Sequence, residues 1–131
     1  MKKVKIFVCT HGKFGEELMR SAEMIAGPFH DAVSFSLLPG MSPENYLDMI
    51  EEKAKTVNGS ILCLTDLFGG TPCTTCALLA KKYDMQILTG LNLAMYLEIT
   101  SQLETIGLEE LCDLGLRTLK DSGKNVLSLL R

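Results

Sequence analysis

Apolar residues follow two alternating rhythms along this chain: short continuous or every-second-residue runs, then stretches in which they recur every three or four positions. Val4 to Cys9 is the first short run and reads as a strand. Thr10-His11-Gly12 then turns into a helix of about Gly15 to Ala26, where Leu18, Met19, Ala22, Ile25 and Ala26 make one stripe before Gly27-Pro28 stops it. From Ala32 to Leu38, Val33, Phe35 and Leu37 alternate with serines, which predicts a strand exposed on one face and lying near a sheet edge. Pro39-Gly40 turns the chain, and Ser42 and Pro43 supply an N-cap and a first helical residue. Leu47, Ile50, Ala54 and Val57 then mark the buried stripe of a second helix, closed by Asn58-Gly59.

The run Ile61 to Thr65 has little polarity and suits a third strand buried on both faces, as in a parallel sheet. Asp66 sits at its carboxyl end, followed by Leu67-Phe68 and the pair Gly69-Gly70. Thr71 reads as an N-cap and Pro72 as the first residue of a helix to about Tyr83. Met85 to Thr89 is a short fourth strand. Asn92 can cap a helix to about Leu103, and Leu108, Leu111, Cys112, Leu116 and Leu119 support another to about Lys120. The apolar tail Asn125 to Leu130 reads as a last, antiparallel strand.

Strands alternating with helices predict an α/β fold: one doubly wound domain over residues 1–131, with a mostly parallel sheet. Right-handed crossovers make 2-1-3-4 the simplest strand order for four such units. In that order the loops after strands one and three face each other at the switch point. His11 and Asp66, far apart in sequence, then share one crevice.

Composition narrows the classes of function. The 131 residues are 47% hydrophobic and 22% charged, as in an ordinary globular protein rather than a disordered one. No apolar run approaches membrane-spanning length, and the Val4–Cys9 segment is too short for a signal-peptide core, so a cytoplasmic location is expected. A net charge of −3 without a basic run gives no footprint for nucleic acid. Five cysteines, an odd number spread from Cys9 to Cys112, fit reduced thiols better than a disulfide framework.

The chemistry at the crevice is complementary. A histidine acting as a nucleophile must present one ring nitrogen with a free lone pair, and a carboxylate accepting from the other N–H fixes that tautomer and stabilises the charged ring. Asp66 can do this for His11. The amides at Gly70 and Thr71, the Thr71 hydroxyl and the dipole of the helix that follows suit an anion such as a phosphoryl group.

Three motifs together resemble the mannose-family IIA domain of the bacterial sugar phosphotransferase system, over nearly the whole chain. They are Thr10-His11-Gly12, Asp66-Leu67-Phe68-Gly69-Gly70-Thr71-Pro72, and Gly90-Leu91-Asn92-Leu93-Ala94-Met95 with Glu98. The resemblance implies a phosphocarrier in which His11 takes a phosphoryl group from HPr and passes it to a IIB component during sugar uptake, serving a membrane permease indirectly. It implies that Asp66 pairs with His11, with Gly69, Gly70 and Thr71 as the phosphate cradle. It also implies a homodimer in which a C-terminal strand, here Asn125 to Leu130, crosses to the partner's sheet. The family commonly has proline where this chain has Ala94, and serine is also common at the position of Thr71. No cofactor and no metal are expected.

Other readings of the residues fare less well. A receiver domain would carry acidic residues after strand one to hold magnesium, where Cys9, Thr10 and His11 stand. A nucleotide or flavin module lacks its glycine fingerprint and P-loop lysine. The alternative that keeps most support is a thiol redox module, because Cys73-Thr74-Thr75-Cys76 puts a C-x-x-C on a helix's first turn.

Overall fold

A computed structural model describes residues 2–131. Ten elements follow in chain order: β1 (Val4–His11), α1 (Phe14–Ala26), β2 (Ala32–Leu37), α2 (Pro43–Ala54), β3 (Ser60–Thr65), α3 (Thr71–Leu79), β4 (Met85–Leu88), α4 (Leu93–Ser101), α5 (Leu108–Ser122) and α6 (Val126–Leu129). The sheet is four-stranded and all parallel, in the order β2-β1-β3-β4. The expected order 2-1-3-4 is thus the observed one.

The period-two rule explains how the two central strands divide the core. Val4, Ile6 and Val8 of β1 and Leu62 and Leu64 of β3 point to one face, where they pack with Leu18, Met95, Ile99 and Leu111 from α1, α4 and α5. Phe7, Cys9, Ile61 and Cys63 point to the other, against Tyr46, Ile50, Cys76 and Leu79 from α2 and α3. Every residue of β3 is buried, as a strand covered on both faces requires. The edge strand β2 buries only Phe35, which accounts for the serines at alternate positions. Tyr46, fully buried, donates its hydroxyl to the Phe35 carbonyl at 2.7 Å and so ties α2 to that edge.

Ser42 caps α2 as expected, its side chain accepting from the Asn45 N–H at 3.1 Å, with Pro43 at the first helical position. Asn92 caps α4 by accepting from the Met95 N–H at 2.9 Å. Two expectations are corrected. Helix α3 starts one residue early, at Thr71, with Gly70 and not Thr71 at the cap and no side-chain capping bond. In the single chain the tail is not a strand: Val126–Leu129 forms one helical turn. A strand exists only through pairing, and among the described residues of the one chain no strand pairs with this segment. Its backbone bonds close locally instead, Ser128 N–H to the Asn125 carbonyl at 3.1 Å and Leu130 N–H to the Leu127 carbonyl at 3.3 Å. Among the described residues no helix is long and apolar enough to cross a membrane.

Candidate active site at the carboxyl ends of β1 and β3

Adjacent parallel strands leave the sheet at the same edge, and Cys9 on β1 lies in register with Thr65 on β3. His11, the last residue of β1, therefore stands opposite Asp66, the first residue beyond β3. The imidazole Nδ1 is 2.9 Å from Asp66 Oδ2, and the His11 main-chain N–H donates to the same oxygen at 3.0 Å. Asp66 Oδ1 accepts from the Leu67 N–H at 3.0 Å. An ionised carboxylate can only accept, so the shared proton belongs to Nδ1, and in the neutral imidazole Nε2 then keeps its lone pair.

Burial on its own pushes the Asp66 carboxyl up, but the hydrogen bonds from the His11 amide, the His11 ring and the Leu67 amide outweigh it, holding the group below its ordinary value. The histidine side chain is 45% exposed against 14% for the aspartate, so the ring lies open to an approaching surface while its partner is held inside.

The loop between β3 and α3 closes the other side of the ring. A Cβ at Gly70 would stand 2.8 Å from His11 Cε1 and 3.5 Å from Nε2, so any side chain there would have to displace the ring. The backbone there, with φ −73° and ψ 167°, is open to all residues, so it is space and not conformation that calls for glycine. This also explains the misplaced cap: a residue with a capping hydroxyl at the N-cap of α3 would run into the imidazole. Gly69 is the reverse case, with φ +81° and open space around its α-carbon.

Of the expected cradle, the Gly70 N–H is shared with the Leu67 carbonyl at 3.3 Å, whereas the Thr71 N–H has no acceptor among the described residues. Leu67 and Phe68, 61% and 89% exposed, form an apolar lip on this loop. Four expected residues thus gather around the ring: Asp66 by direct contact, Gly70 by packing, and Gly69 and Thr71 as its chain neighbours at the helix start.

Sequence reasoning missed Thr10. It is buried, and its Oγ1 accepts from the Gly15 N–H at 2.8 Å, fixing the start of α1 against the end of β1. The signal was a hydroxyl residue beside the candidate histidine and just ahead of a helix. The C-x-x-C pair is split by the helix: Cys73 is partly exposed, while Cys76 is fully buried beside Cys9 and Cys63 in the core. Burial pushes the Cys9 thiol up, and a wholly buried thiol such as Cys76 is out of reach of an exchange partner.

Residues 5–114 match the family model described as PTS system fructose IIA component. The PTS system fructose-specific EIIA component of Bacillus subtilis (strain 168) is 27% identical over 111 residues, covering 82% of this chain and 76% of its own length. The PTS system mannose-specific EIIAB component of Escherichia coli (strain K12) is 25% identical over 126 residues, covering 92% of this chain, which spans 39% of that longer protein. Among solved structures, a phosphotransferase system component EIIA from Streptococcus agalactiae superposes with TM-score 0.87 at 29% identity, over 95% of this chain and 98% of its own. The mannose/sorbose specific IIA subunit from Enterococcus faecalis superposes with TM-score 0.86 at 27% identity, over 94% of each chain.

Two predictions follow from the geometry. Gly70→Ala is expected to fold but to displace the imidazole, seen as altered ring nitrogen shifts for His11 in NMR. Gly69→Ala is expected to cost about 1–2 kcal/mol of stability through its positive φ and to leave those shifts in place. Identical ring spectra for Gly70→Ala and wild type would refute the packing argument.

The second concerns pH. Because the Asp66 carboxyl is lowered in the folded state, its ionised form stabilises the fold above the ordinary value of 3.8, and the contribution is lost as pH falls through the lower folded value. The stability gap between wild type and Asp66→Asn should be full near about pH 6 and shrink from about pH 4 downward, as read by urea unfolding. A gap independent of pH would mean that the ionised carboxylate contributes nothing.

Proposed function

Because the chain belongs to the PTS fructose IIA component family, with a role in the sugar phosphotransferase system, we propose that it is a phosphohistidine carrier that accepts a phosphoryl group on His11 from phosphorylated HPr and hands it to a IIB component. The observation that carries this reading is the Nδ1 contact to Asp66 at 2.9 Å, which leaves Nε2 as the free nucleophilic nitrogen on a half-exposed ring.

In the proposed reaction the Nε2 lone pair attacks the phosphorus of the donor's phosphohistidine. The P–N bond to the donor ring breaks as the bond to Nε2 forms, and the donor imidazole leaves with that electron pair. His11 keeps its Nδ1 proton throughout and carries positive charge once phosphorylated, and Asp66, fixed by three hydrogen bonds, lies where that charge develops. The Thr71 amide and hydroxyl and the start of α3, with Gly69 and Gly70 keeping the approach clear, would hold the phosphoryl oxygens. Transfer to IIB runs the same steps in reverse with a new acceptor. Positioning and charge stabilisation supply the catalysis.

A carrier must be reached by two protein partners in turn, which fits an exposed ring bordered by the apolar lip of Leu67 and Phe68. The proposed homodimer draws support from a second surface. Val126, Leu127, Leu129 and Leu130 of the tail are all more than 60% exposed, with Leu116 of α5 at 47%, an apolar strip that a second copy would cover.

His11→Ala is expected to abolish labelling by HPr phosphorylated with enzyme I, whereas Cys73→Ser and Cys76→Ser should be labelled like wild type. Acid-labile phosphate on the His11 variant would sink the assignment. In sedimentation velocity the chain should run as a dimer and Leu127→Glu combined with Leu130→Glu as a monomer; a wild-type monomer at high micromolar concentration would remove the dimer from the proposal.

A further inference from the structure

The third sequence motif, Gly90 to Met95, contributes no group to the ring, yet its backbone reaches the site from behind. The Gly90 N–H donates to the Asp66 carbonyl at 3.1 Å and the Leu91 N–H to the Thr65 carbonyl at 3.0 Å. These two bonds carry the β3–β4 pairing past the last ladder pair, Leu64 with Leu88, as far as the aspartate itself. The Thr65 hydroxyl adds a third link, donating to the Leu88 carbonyl at 3.0 Å. The main chain of Asp66 is thereby set by the loop between β4 and α4.

That loop is anchored in turn by one side chain with two tasks. Asn92 Oδ1 accepts from the Met95 N–H at 2.9 Å and caps α4, while its Nδ2 donates to the Ser122 hydroxyl at 2.8 Å. Ser122 passes its own proton to the Leu119 carbonyl at 3.0 Å, so both hydroxyl functions are committed at the last turn of α5. The same turn presses on the loop a second time: a Cβ at Gly90, which holds φ +81°, would stand 2.8 Å from Leu119 Cδ2. A capping asparagine needs only its oxygen. The amide nitrogen is spent on the last turn of a different helix, α5.

We propose that Asn92 and Ser122 are positioning residues for phosphoryl transfer: their hydrogen bond locks the β4–α4 loop, which fixes the backbone of Asp66 and so the alignment of His11. This rests on the phosphocarrier reading for its kinetic arm only. The links run from Ser122 to Asn92, along the backbone through Leu91 to Gly90, and on to Asp66 and His11, which makes the end of α5 part of the support of the site. The effect is one of alignment, so it belongs to the transfer step and not to the docking of the donor.

The test uses Ser122→Ala, which removes the tie and keeps the Asn92 cap, with Ser122→Thr as the conservative variant that retains the hydroxyl. In single-turnover transfer from phosphorylated HPr, Ser122→Ala is expected to be about tenfold slower at saturating donor with half-saturation unchanged, and Ser122→Thr to recover the rate. In an Asp66→Ala background the same Ser122→Ala change should cost nothing more, because the side-chain acceptor through which it acts on the ring is gone. Independently of any transfer, carbon NMR of the Asp66 carboxyl should show its titration moving up toward the ordinary value in Ser122→Ala. An unchanged titration together with a wild-type rate overturns the proposal, as does an equal slowing in the Asp66→Ala background. Should wild type itself accept no phosphoryl group, the phosphocarrier reading fails, and the titration alone decides whether the brace exists.

Discussion

The hydrogen bond between His11 Nδ1 and Asp66 Oδ2 depends on one topological fact, the adjacency of β1 and β3 in a parallel sheet. Two residues separated by more than fifty positions meet because both strands run the same way and end at the same level. An antiparallel β3, or a strand inserted between them, would leave a histidine and a carboxylate with no common crevice. The remaining features of the site refine this contact. The Leu67 amide holds the second carboxylate oxygen, Gly70 leaves room for the ring, and Thr10 secures the start of α1 behind it.

Much of this was legible in the sequence because it rests on periodicity. The all-apolar Ile61–Thr65 run announced a strand covered on both faces, the serines of β2 announced an edge, and the order of the strands followed from the handedness of their connections. With the order in hand, the pairing of His11 with Asp66 was a matter of geometry. What stayed hidden was anything decided by a neighbour distant in sequence. Thr71-Pro72 looks like a cap and a first helical residue by local preference, and only the imidazole packed against Gly70 explains why the cap sits one residue earlier.

The tail fails for a related reason. Asn125 to Leu130 has the apolar density of a strand, but density does not supply a pairing partner, and the segment closes its own hydrogen bonds into a turn. The C-x-x-C is the opposite case, a motif whose chemistry is cancelled by the packing of its helix on the sheet. Residues three apart lie on one side of a helix, yet α3 sits so that Cys76 enters the core with Cys9 and Cys63 while Cys73 stays at its margin. Local spacing described the motif, and the packing of α3 on the sheet decided its use.

The partial exposure of the His11 and Asp66 pair bears on reversibility. If the chain is the proposed phosphocarrier, it must take and give with nearly equal ease, so its phosphorylated state has to lie at about the same free energy as that of its donor and its acceptor. A carboxylate sealed away from water would hold the charged ring so strongly that the phosphoryl group would be trapped. With the ring 45% and the carboxylate 14% exposed, solvent weakens the attraction at its outer end. For the proposed carrier, the depth of the crevice would then set equilibrium as well as speed: deeper burial would make a sink of the same two residues, and full exposure would leave the ring without a fixed tautomer.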